Sequence, residues 1–348
     1  MNLLPEIKEY AAINRPIKDI VREGRFCIAL ARLFAKYKNK QFCKKNNSKE
    51  SIAIFHYIAS YTSVFLPSLE QFGEYDLAIS FLIPHNIVRD KVKAKKKLAW
   101  IHTDYSFVET DREHELPIWN SYDHIISISK DVTKGFLMRF PSLSNKILEI
   151  ENILSEKFVR EQADASNILA TKDNDDNVKL CTVARFSYPK AIDRAVYICK
   201  ELVKLNTNIR WYIVGYGSDE MIIRRNIKDA GMEEHFILLG KHMNPYPYIK
   251  ACDIYIQPSR YEGKAVTVRE AQILLKPVII TSFPTSQSQL RDGVDGIIVP
   301  NDIKEAAHEI ASFITDKDKM NRIVENLKQN HYGNEEEVYK IYNTIEND

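Results

Sequence analysis

Short apolar runs alternate with amphipathic stretches along the second half of the chain. Runs rich in β-branched residues predict buried strands at 178–184, 209–214, 236–240, 253–257 and 277–281. Between these runs, apolar residues recur at helical spacing, as in residues 264–275, or give way to polar turns. Alternating strands and helices predict βαβ units and a parallel sheet, whose ligands lie off the carboxyl ends of the strands.

The first half shows the same alternation in a less regular form. Apolar spacing between residues 16 and 45 predicts two amphipathic helices with a break near Gly24. Apolar runs then predict strands at 75–82, 97–101 and 122–129. We therefore expect an α/β fold with one Rossmann-like parallel-sheet domain in each half of the chain.

Composition marks the boundary between the two halves. Residues 154–177 are polar and patternless, which is typical of a linker. We expect an N-terminal domain at 1–153, the linker at 154–177, a second domain at 178–333 and a terminal helix at 334–348.

A chain of 348 residues is long enough for two domains, and 45% hydrophobic with 28% charged residues describes a soluble globular protein. No apolar run approaches the roughly eighteen residues that span a bilayer, and no signal peptide follows Met1, so we expect a cytoplasmic protein. The five cysteines are scattered without the spacing of a disulfide framework or a zinc site. We expect no bound metal.

The net charge of +2 hides an uneven distribution. Residues 1–100 contain 18 Lys and Arg against 9 Asp and Glu, so the remaining residues carry a net negative charge. The excess lies at 32–49 and 89–97. Such basic clusters could face anionic phospholipid head groups or a polyanionic acceptor, and they could equally be a solvated helix face.

Two glutamates follow the predicted strand at 253–257. Glu262 lies on the next loop, and Glu270 lies eight residues later in the predicted helix. With the helix starting near Lys264, free N–H groups of Gly263, Lys264 and Ala265 would point into the crevice and attract an anion. Carboxylates suit vicinal diols, so the pair predicts a grip on sugar hydroxyls beside a phosphate. Glutamates are also common on helix surfaces, which leaves a structural role open.

Two cations and two glycines follow other predicted strand ends. Arg185 and Lys190 are five residues apart and could clamp a diphosphate, Arg as a fork and Lys as a point charge, or they could be surface charges. Gly215 and Gly217 form a Gly-x-Gly turn that lacks the third glycine of a dinucleotide site. We interpret it as a tight strand-to-helix turn near the nucleotide.

The segment SRYEGKAVTVREA, followed by KPVIIT and DGVDGIIVP, resembles the donor-site signature of the family-4 retaining glycosyltransferases. Those enzymes share the GT-B fold, in which two Rossmann-like domains face a cleft. The match looks most like transferases of bacterial capsular or other surface polysaccharide assembly. The resemblance covers about 120 residues well, from residue 178 onward, and the rest loosely.

The resemblance implies roles for individual residues. Glu270 would hold the nucleotide ribose, Glu262 would lie beside the donor sugar, and Arg185 and Lys190 would bind the diphosphate. A histidine after the strand at 97–101 matches His102, which would point across the cleft to the donor sugar. The terminal helix would cross back to the N-terminal domain, whose side of the cleft takes the acceptor.

The expected function is transfer of a sugar, with retention, from a nucleotide-diphosphate donor to a glycan or lipid-linked precursor of a bacterial surface polysaccharide. We expect no cofactor, no metal and no nucleic-acid partner, and peripheral contact with the inner face of the membrane through the basic N-terminal segments. Residues 1–20 show neither the first strand nor the glycine-rich loop of the family, so we expect an incomplete N-terminal sheet. The alternative is a non-catalytic GT-B subunit that binds a partner protein.

Overall fold

The computed structural model describes residues 15–48, 51–103, 105–106, 108–165, 177–262, 264–283 and 285–346. The predicted donor-site residue Gly263 lies outside this set, and so do the first fourteen residues, on which the expectation of an incomplete start largely rests. The chain divides into two compact units. One contains the described residues up to Asn152 and those from Glu336 onward, and the other runs from Ile153 to Glu335.

The N-terminal unit is built around a four-stranded parallel sheet with the order β1-β2-β3-β4. In chain order its elements are α1 (Ile17–Arg22), α2 (Phe26–Lys45), α3 (Ala53–Thr62), β1 (Tyr75–Ser80), α4 (Asn86–Lys91), β2 (Ala94–Ile101), α5 (Arg112–Asn120), β3 (His124–Ser127), α6 (Lys130–Arg139) and β4 (Ile147–Glu149). The predicted break between two N-terminal helices is confirmed, because Gly24 has a φ of 76° between α1 and α2.

An aromatic core covers one face of this sheet. The Trp119 and Phe136 rings meet edge to face at 4.9 Å, and Phe140 lies 4.9 Å from Phe136. The buried side chains of Leu98 and Trp100 belong to a separate apolar cluster. Side chains therefore alternate between two cores along β2, as a strand buried on both faces requires.

The second unit contains a six-stranded parallel sheet with the order β10-β9-β8-β5-β6-β7. Its elements are α7 (Glu156–Asp164), β5 (Val178–Val183), α8 (Ile192–Lys204), β6 (Ile209–Val214), α9 (Glu220–Ala230), β7 (Phe236–Gly240), α10 (Tyr246–Ala251), β8 (Ile254–Gln257), α11 (Val266–Ile273), β9 (Val278–Thr281), β10 (Ile297–Val299), α12 (Ile303–Thr315) and α13 (Lys317–Lys328). The predicted α/β class with two parallel sheets is confirmed.

Alternation along the central strands of this sheet fills two cores. Leu180 and Ile254 pack in one apolar cluster, whereas their neighbours Cys181 and Tyr255 pack in the other. Covering both faces with helices leaves the two ends of the strands as the accessible parts of the sheet. The carboxyl end is the one at which the site forms.

The predicted linker at 154–177 is wrong over residues 156–164, because these residues form the helix α7 (Glu156–Asp164). The Ser155 side chain accepts a hydrogen bond from the Phe158 N–H and caps the helix. Only Val159 and Ala163 of α7 are buried, so the apolar signal is too sparse to read as a helix. Leu154 and Val159 pack with Ile273 of α11, which makes α7 part of the second unit.

A last helix, α14 (Glu337–Glu346), belongs to the N-terminal unit, where Ile341 packs against the cluster that contains Leu98. Among the described helices, none combines the length and the apolar content that crossing a bilayer requires.

Candidate functional site

The carboxyl ends of β5, β6 and β7 and the loop that leads into α11 enclose a cavity of about 470 Å³. This volume is typical of small-molecule sites, and the carboxyl edge is where parallel sheets bind ligands. Six predicted donor-site residues line it, namely Arg185, Lys190, Gly215, Glu262, Lys264 and Ala265. The lining also includes Tyr216, Lys241, His242, Pro245, Val266 and Thr267.

Lys190 and Glu262 form an ion pair in the cavity wall. The Lys190 Nζ lies 2.6 Å from Oε1 and 2.7 Å from Oε2 of Glu262. The same Oε1 accepts hydrogen bonds from Ser259 Oγ at 2.6 Å and from Gln257 Nε2 at 3.1 Å. The Glu262 side chain is only 7% exposed, whereas that of Lys190 is 30% exposed. The residues assigned separately to diphosphate and to sugar are thus one coupled unit in the unliganded protein.

A series of hydrogen bonds between buried side chains fixes the position of the Glu262 carboxylate. Gln257 is 1% exposed at the end of β8, and its Oε1 accepts from the Tyr255 hydroxyl at 2.8 Å and from Thr267 Oγ1 at 3.2 Å. These bonds turn the amide nitrogen toward Ser259 and Glu262. Gln257 is not among the residues predicted above, although a glutamine that closes an otherwise apolar strand is the signal that could have identified it.

Helix α11 begins at Val266, two residues later than predicted. The Ala265 N–H is not free, since it donates to Gln289 Oε1 at 2.8 Å, so the expectation that this amide faces an anion is wrong. The physical reason is a long-range side-chain contact, from residue 289, that local pattern cannot reveal. The N–H groups of Val266 and Thr267 open the helix without intrahelical partners, and both residues line the cavity.

Gly215 and Gly217 are required by close backbone approach. A Cβ on Gly215 would lie 1.8 Å from the Ala184 carbonyl oxygen, and one on Gly217 would lie 2.1 Å from that of Phe186. The two glycines let the segment after β6 run against the segment after β5, where the Phe186 N–H donates to the Tyr216 carbonyl at 2.9 Å. Gly215 lines the cavity, whereas Gly217 lies outside the lining and acts only by allowing the two segments to pack closely.

An aromatic wall stands beside these glycines. The Lys241 Nζ lies 4.8 Å from the centre of the Tyr216 ring, which is 51% exposed. The Tyr248 hydroxyl lies 3.0 Å from Nδ1 of His242. Tyr216 is not among the residues predicted above, because it was interpreted only as the middle residue of the Gly-x-Gly turn.

Glu270 is buried in α11 and does not line the cavity. Its Oε1 accepts a hydrogen bond from the Tyr246 hydroxyl at 3.0 Å. Burial raises the pKa of Glu270, and this hydrogen bond acts in the opposite direction. Contact of Glu270 with a ribose stays a prediction.

His102 belongs to the N-terminal unit, directly after β2. Its half-buried ring lies 4.4 Å from the Phe81 ring, and burial lowers the pKa of the imidazole. Within the part of the chain that the structure describes, its Nε2 has no hydrogen-bond partner. The imidazole is therefore neutral at pH 7, and its predicted contact with a donor sugar stays a prediction.

Comparison with known proteins identifies the second unit. Residues 166–330 match the model of the family described as Glycosyl transferases group 1. The chain contains a glycosyl transferases group 1 domain. This confirms the resemblance that the Glu262 and Glu270 signature indicated.

Two curated relatives of this glycosyl transferases group 1 domain are bacterial glycosyltransferases. A poly(ribitol-phosphate) alpha-N-acetylglucosaminyltransferase of Staphylococcus aureus (strain COL) is 25% identical over 134 residues, which are 38% of this chain and 27% of the relative. The capsular polysaccharide biosynthesis glycosyltransferase CapM of Staphylococcus aureus is 26% identical over 237 residues, 64% of this chain and 61% of the relative. The match spans less than two thirds of either relative.

A solved structure shares the fold. The pneumococcal O-GlcNAc transferase GtfA, determined in complex with UDP and GlcNAc, aligns with a TM-score of 0.60 and 17% identity over 82% of this chain and 59% of that protein. Together with the two parallel sheets, this likeness establishes the GT-B fold class.

Proposed function

We propose that the protein is a retaining glycosyltransferase that moves a sugar from a nucleotide-diphosphate donor to a glycan or lipid-linked precursor of a bacterial surface polysaccharide. The observation that carries the proposal is the cavity at the sheet edge, in which Arg185, Lys190 and the start of α11 converge. Two cations and two helix-opening amides suit a diphosphate better than any uncharged ligand.

The reaction needs the leaving diphosphate to be stabilised as the glycosyl bond breaks. Arg185 can meet it with a planar fork, and Lys190 with a point charge. The Val266 and Thr267 N–H groups add fixed dipoles that need no reorganisation during the reaction. In this proposal the protein supplies the compensating charge and no metal ion or cofactor is required.

Donor binding would change the hydrogen-bond partners of the Lys190 ammonium. Its ammonium has three donors, so it can keep one bond to Glu262 while it turns another toward a phosphate oxygen. Glu262 stays fixed by Ser259 and Gln257 and offers Oε2 to the sugar. Retention follows if the departing phosphate deprotonates the acceptor on the same face, with His102 orienting the donor sugar.

Relatives such as CapM support a surface-polysaccharide acceptor. If that acceptor is lipid-linked, transfer takes place at a membrane, and we place the protein as a peripheral enzyme at the inner face of the cell membrane. The exposed Tyr216 ring and Lys241 offer a stacking surface for the nucleobase.

The decisive experiment is a panel of UDP, GDP and other nucleotide sugars, assayed for transfer and for slow donor hydrolysis. One donor should be turned over, and the Arg185→Ala variant should lose this turnover. Thermal stabilisation by UDP or GDP without turnover of any sugar would contradict the proposed transfer. No stabilisation and no turnover with any nucleotide would contradict it as well, and would favour the non-catalytic subunit, which binds a partner protein and should ignore both nucleotides.

A further inference from the structure

Helix α2 exposes apolar side chains on the face that points away from the protein core. Its buried residues are Ile28, Ala29, Arg32, Ala35 and Cys43. An apolar stripe of five residues lies on the opposite face, consisting of Phe26 (61% exposed), Leu30 (66%), Leu33 (50%), Phe34 (47%) and Tyr37 (56%). At 3.6 residues per turn, the stripe spans an arc of about 100° around the helix. An exposed apolar patch of this kind on one helix marks a surface that binds something.

Lysines flank the apolar stripe on both sides. The exposed lysines of α2 are Lys36, Lys38, Lys40, Lys44 and Lys45, and the helix contains no Asp or Glu. On the helical projection Lys36 and Lys40 fall on one side of the stripe, and Lys38 and Lys45 fall on the other. The Lys38 Nζ lies 5.8 Å from the centre of the Phe34 ring. An apolar stripe between two basic borders is the pattern of a helix that lies in a membrane interface.

We propose that α2 docks the protein on an anionic lipid bilayer, with the stripe entering the boundary between head groups and acyl chains and the lysines contacting lipid phosphates. This deepens the proposed function, on which it rests for its purpose, because a lipid-linked acceptor requires a membrane contact. A second copy of the chain is a poor occupant. A symmetric contact through the stripe would bring two sets of lysines together without compensating acidic residues on α2.

Co-sedimentation with vesicles tests the docking surface, without donor or acceptor, so its outcome is independent of transfer. The full chain should bind phosphatidylglycerol vesicles and should not bind pure phosphatidylcholine vesicles. Lys40→Gln with Lys44→Gln should weaken binding about 25-fold, at about fivefold for each lysine near an anionic surface. Leu30→Ser with Leu33→Ser should weaken it about tenfold or more, since each removes an apolar side chain from the interface.

A matched control tests whether vesicle binding depends on the apolar stripe or on any exposed apolar side chain. Met138→Ser with Met221→Ser removes apolar side chains that are 70% and 83% exposed elsewhere and should leave vesicle binding unchanged. Far-UV circular dichroism verifies that each variant is folded. Equal binding to both lipids, no binding at all, or an equal loss in the methionine control would overturn the proposal. The proposal would also be overturned if gel filtration showed that the wild type is a dimer and the leucine variant a monomer, and the wild type did not bind vesicles.

Discussion

In the proposed mechanism, Lys190 is the side chain on which donor binding depends most directly, because it joins the cavity to the buried Glu262. In Lys190→Ala the diphosphate loses a cation, and Glu262 is left without its ion-pair partner in a wall where only 7% of it is exposed. Hydrogen bonds to charged groups contribute about 1.5–3 kcal/mol, so affinity for the donor should fall about 10- to 100-fold. Lys190→Arg should retain part of it.

Isothermal titration with UDP and GDP measures this change. The exposed Lys228 on α9 offers a control, and Lys228→Ala should bind as the wild type does. Unchanged affinity in Lys190→Ala would show that the ion pair is structural and that the diphosphate binds elsewhere.

Gly217 gives a second test at the scale of one residue, because its position has no room for a Cβ atom. In Gly217→Ala the new methyl would lie 2.1 Å from the Phe186 carbonyl oxygen, which belongs to the backbone and cannot rotate away. Overpacking of this kind costs about 1–3 kcal/mol, so the melting temperature and nucleotide affinity should both fall. Thermal unfolding with and without UDP measures both, with Ser218→Ala as the neighbouring control. A stable variant with full affinity would mean that the turn relaxes freely.

At the scale of elements, a buried group of ionisable side chains lies between α3, α5 and the residue that precedes α4. Burial lowers the pKa of His56 to about 4 and that of His85 to about 3, and burial raises the pKa of Glu115 to about 7. His56 Nε2 lies 3.5 Å from Glu115 Oε2, but near pH 5.5 both groups are neutral, so this contact is no ion pair. Stability should therefore depend on pH.

Both histidines have folded-state pKa values below the ordinary value of 6.5, so the unfolded chain binds their protons first. Their contribution to stability is present above pH 6.5 and is lost as the pH falls toward 4. Glu115 acts in the opposite direction, since its proton is held more tightly in the folded state, and its stabilising effect fades as the pH rises from 4.5 through 7. Two histidines outweigh one carboxyl below pH 6.5, so stability should fall on acidification.

Urea unfolding between pH 6.5 and 5 tests this expectation, with Trp119, whose ring lies 4.3 Å from that of His85, as the fluorescent reporter. The difference in unfolding free energy between the wild type and His56→Asn with His85→Asn should shrink as the pH falls. The slope should approach that of two protons, about 2.7 kcal/mol per pH unit. Parallel curves for the two proteins would contradict the assignment of neutral histidines.

Elements with a regular apolar pattern can be predicted from the sequence. Elements with few apolar residues, or with bounds that depend on contacts from distant residues, cannot. Strands such as β5 and β8 can be predicted from the sequence because most of their positions are apolar, on both faces of the sheet. Helix α7 was not legible, because it buries only Val159 and Ala163. The start of α11 was placed two residues early, because the Ala265 N–H is satisfied by Gln289 from a later segment.

For the whole molecule, the fold could be predicted from the sequence, whereas the contacts within the site could not. Alternation along the chain was enough to predict two parallel sheets, and the Glu262 and Glu270 signature was enough to indicate the family. The coupling of Lys190 to Glu262, which are 72 positions apart in the sequence, and the support from Gln257 depend on tertiary packing that no local pattern encodes.

The proposed charge compensation by the protein alone has a consequence that can be tested on the whole protein. Arg185, Lys190 and the opening of α11 supply positive potential at the cavity, so transfer should keep most of its rate when EDTA removes divalent cations. The assay compares turnover before and after chelation, with added magnesium as the control. Loss of turnover that magnesium restores would show that the cations of the protein do not suffice.

The most direct test of the central claim is a crystal structure of the protein with UDP and with GDP. The diphosphate should lie in the cavity at the carboxyl edge of the second sheet, within hydrogen-bond distance of Arg185, Lys190 and the Val266 and Thr267 amides. A nucleotide bound at another surface, or a cavity that stays empty at saturating concentrations of both nucleotides, would contradict it.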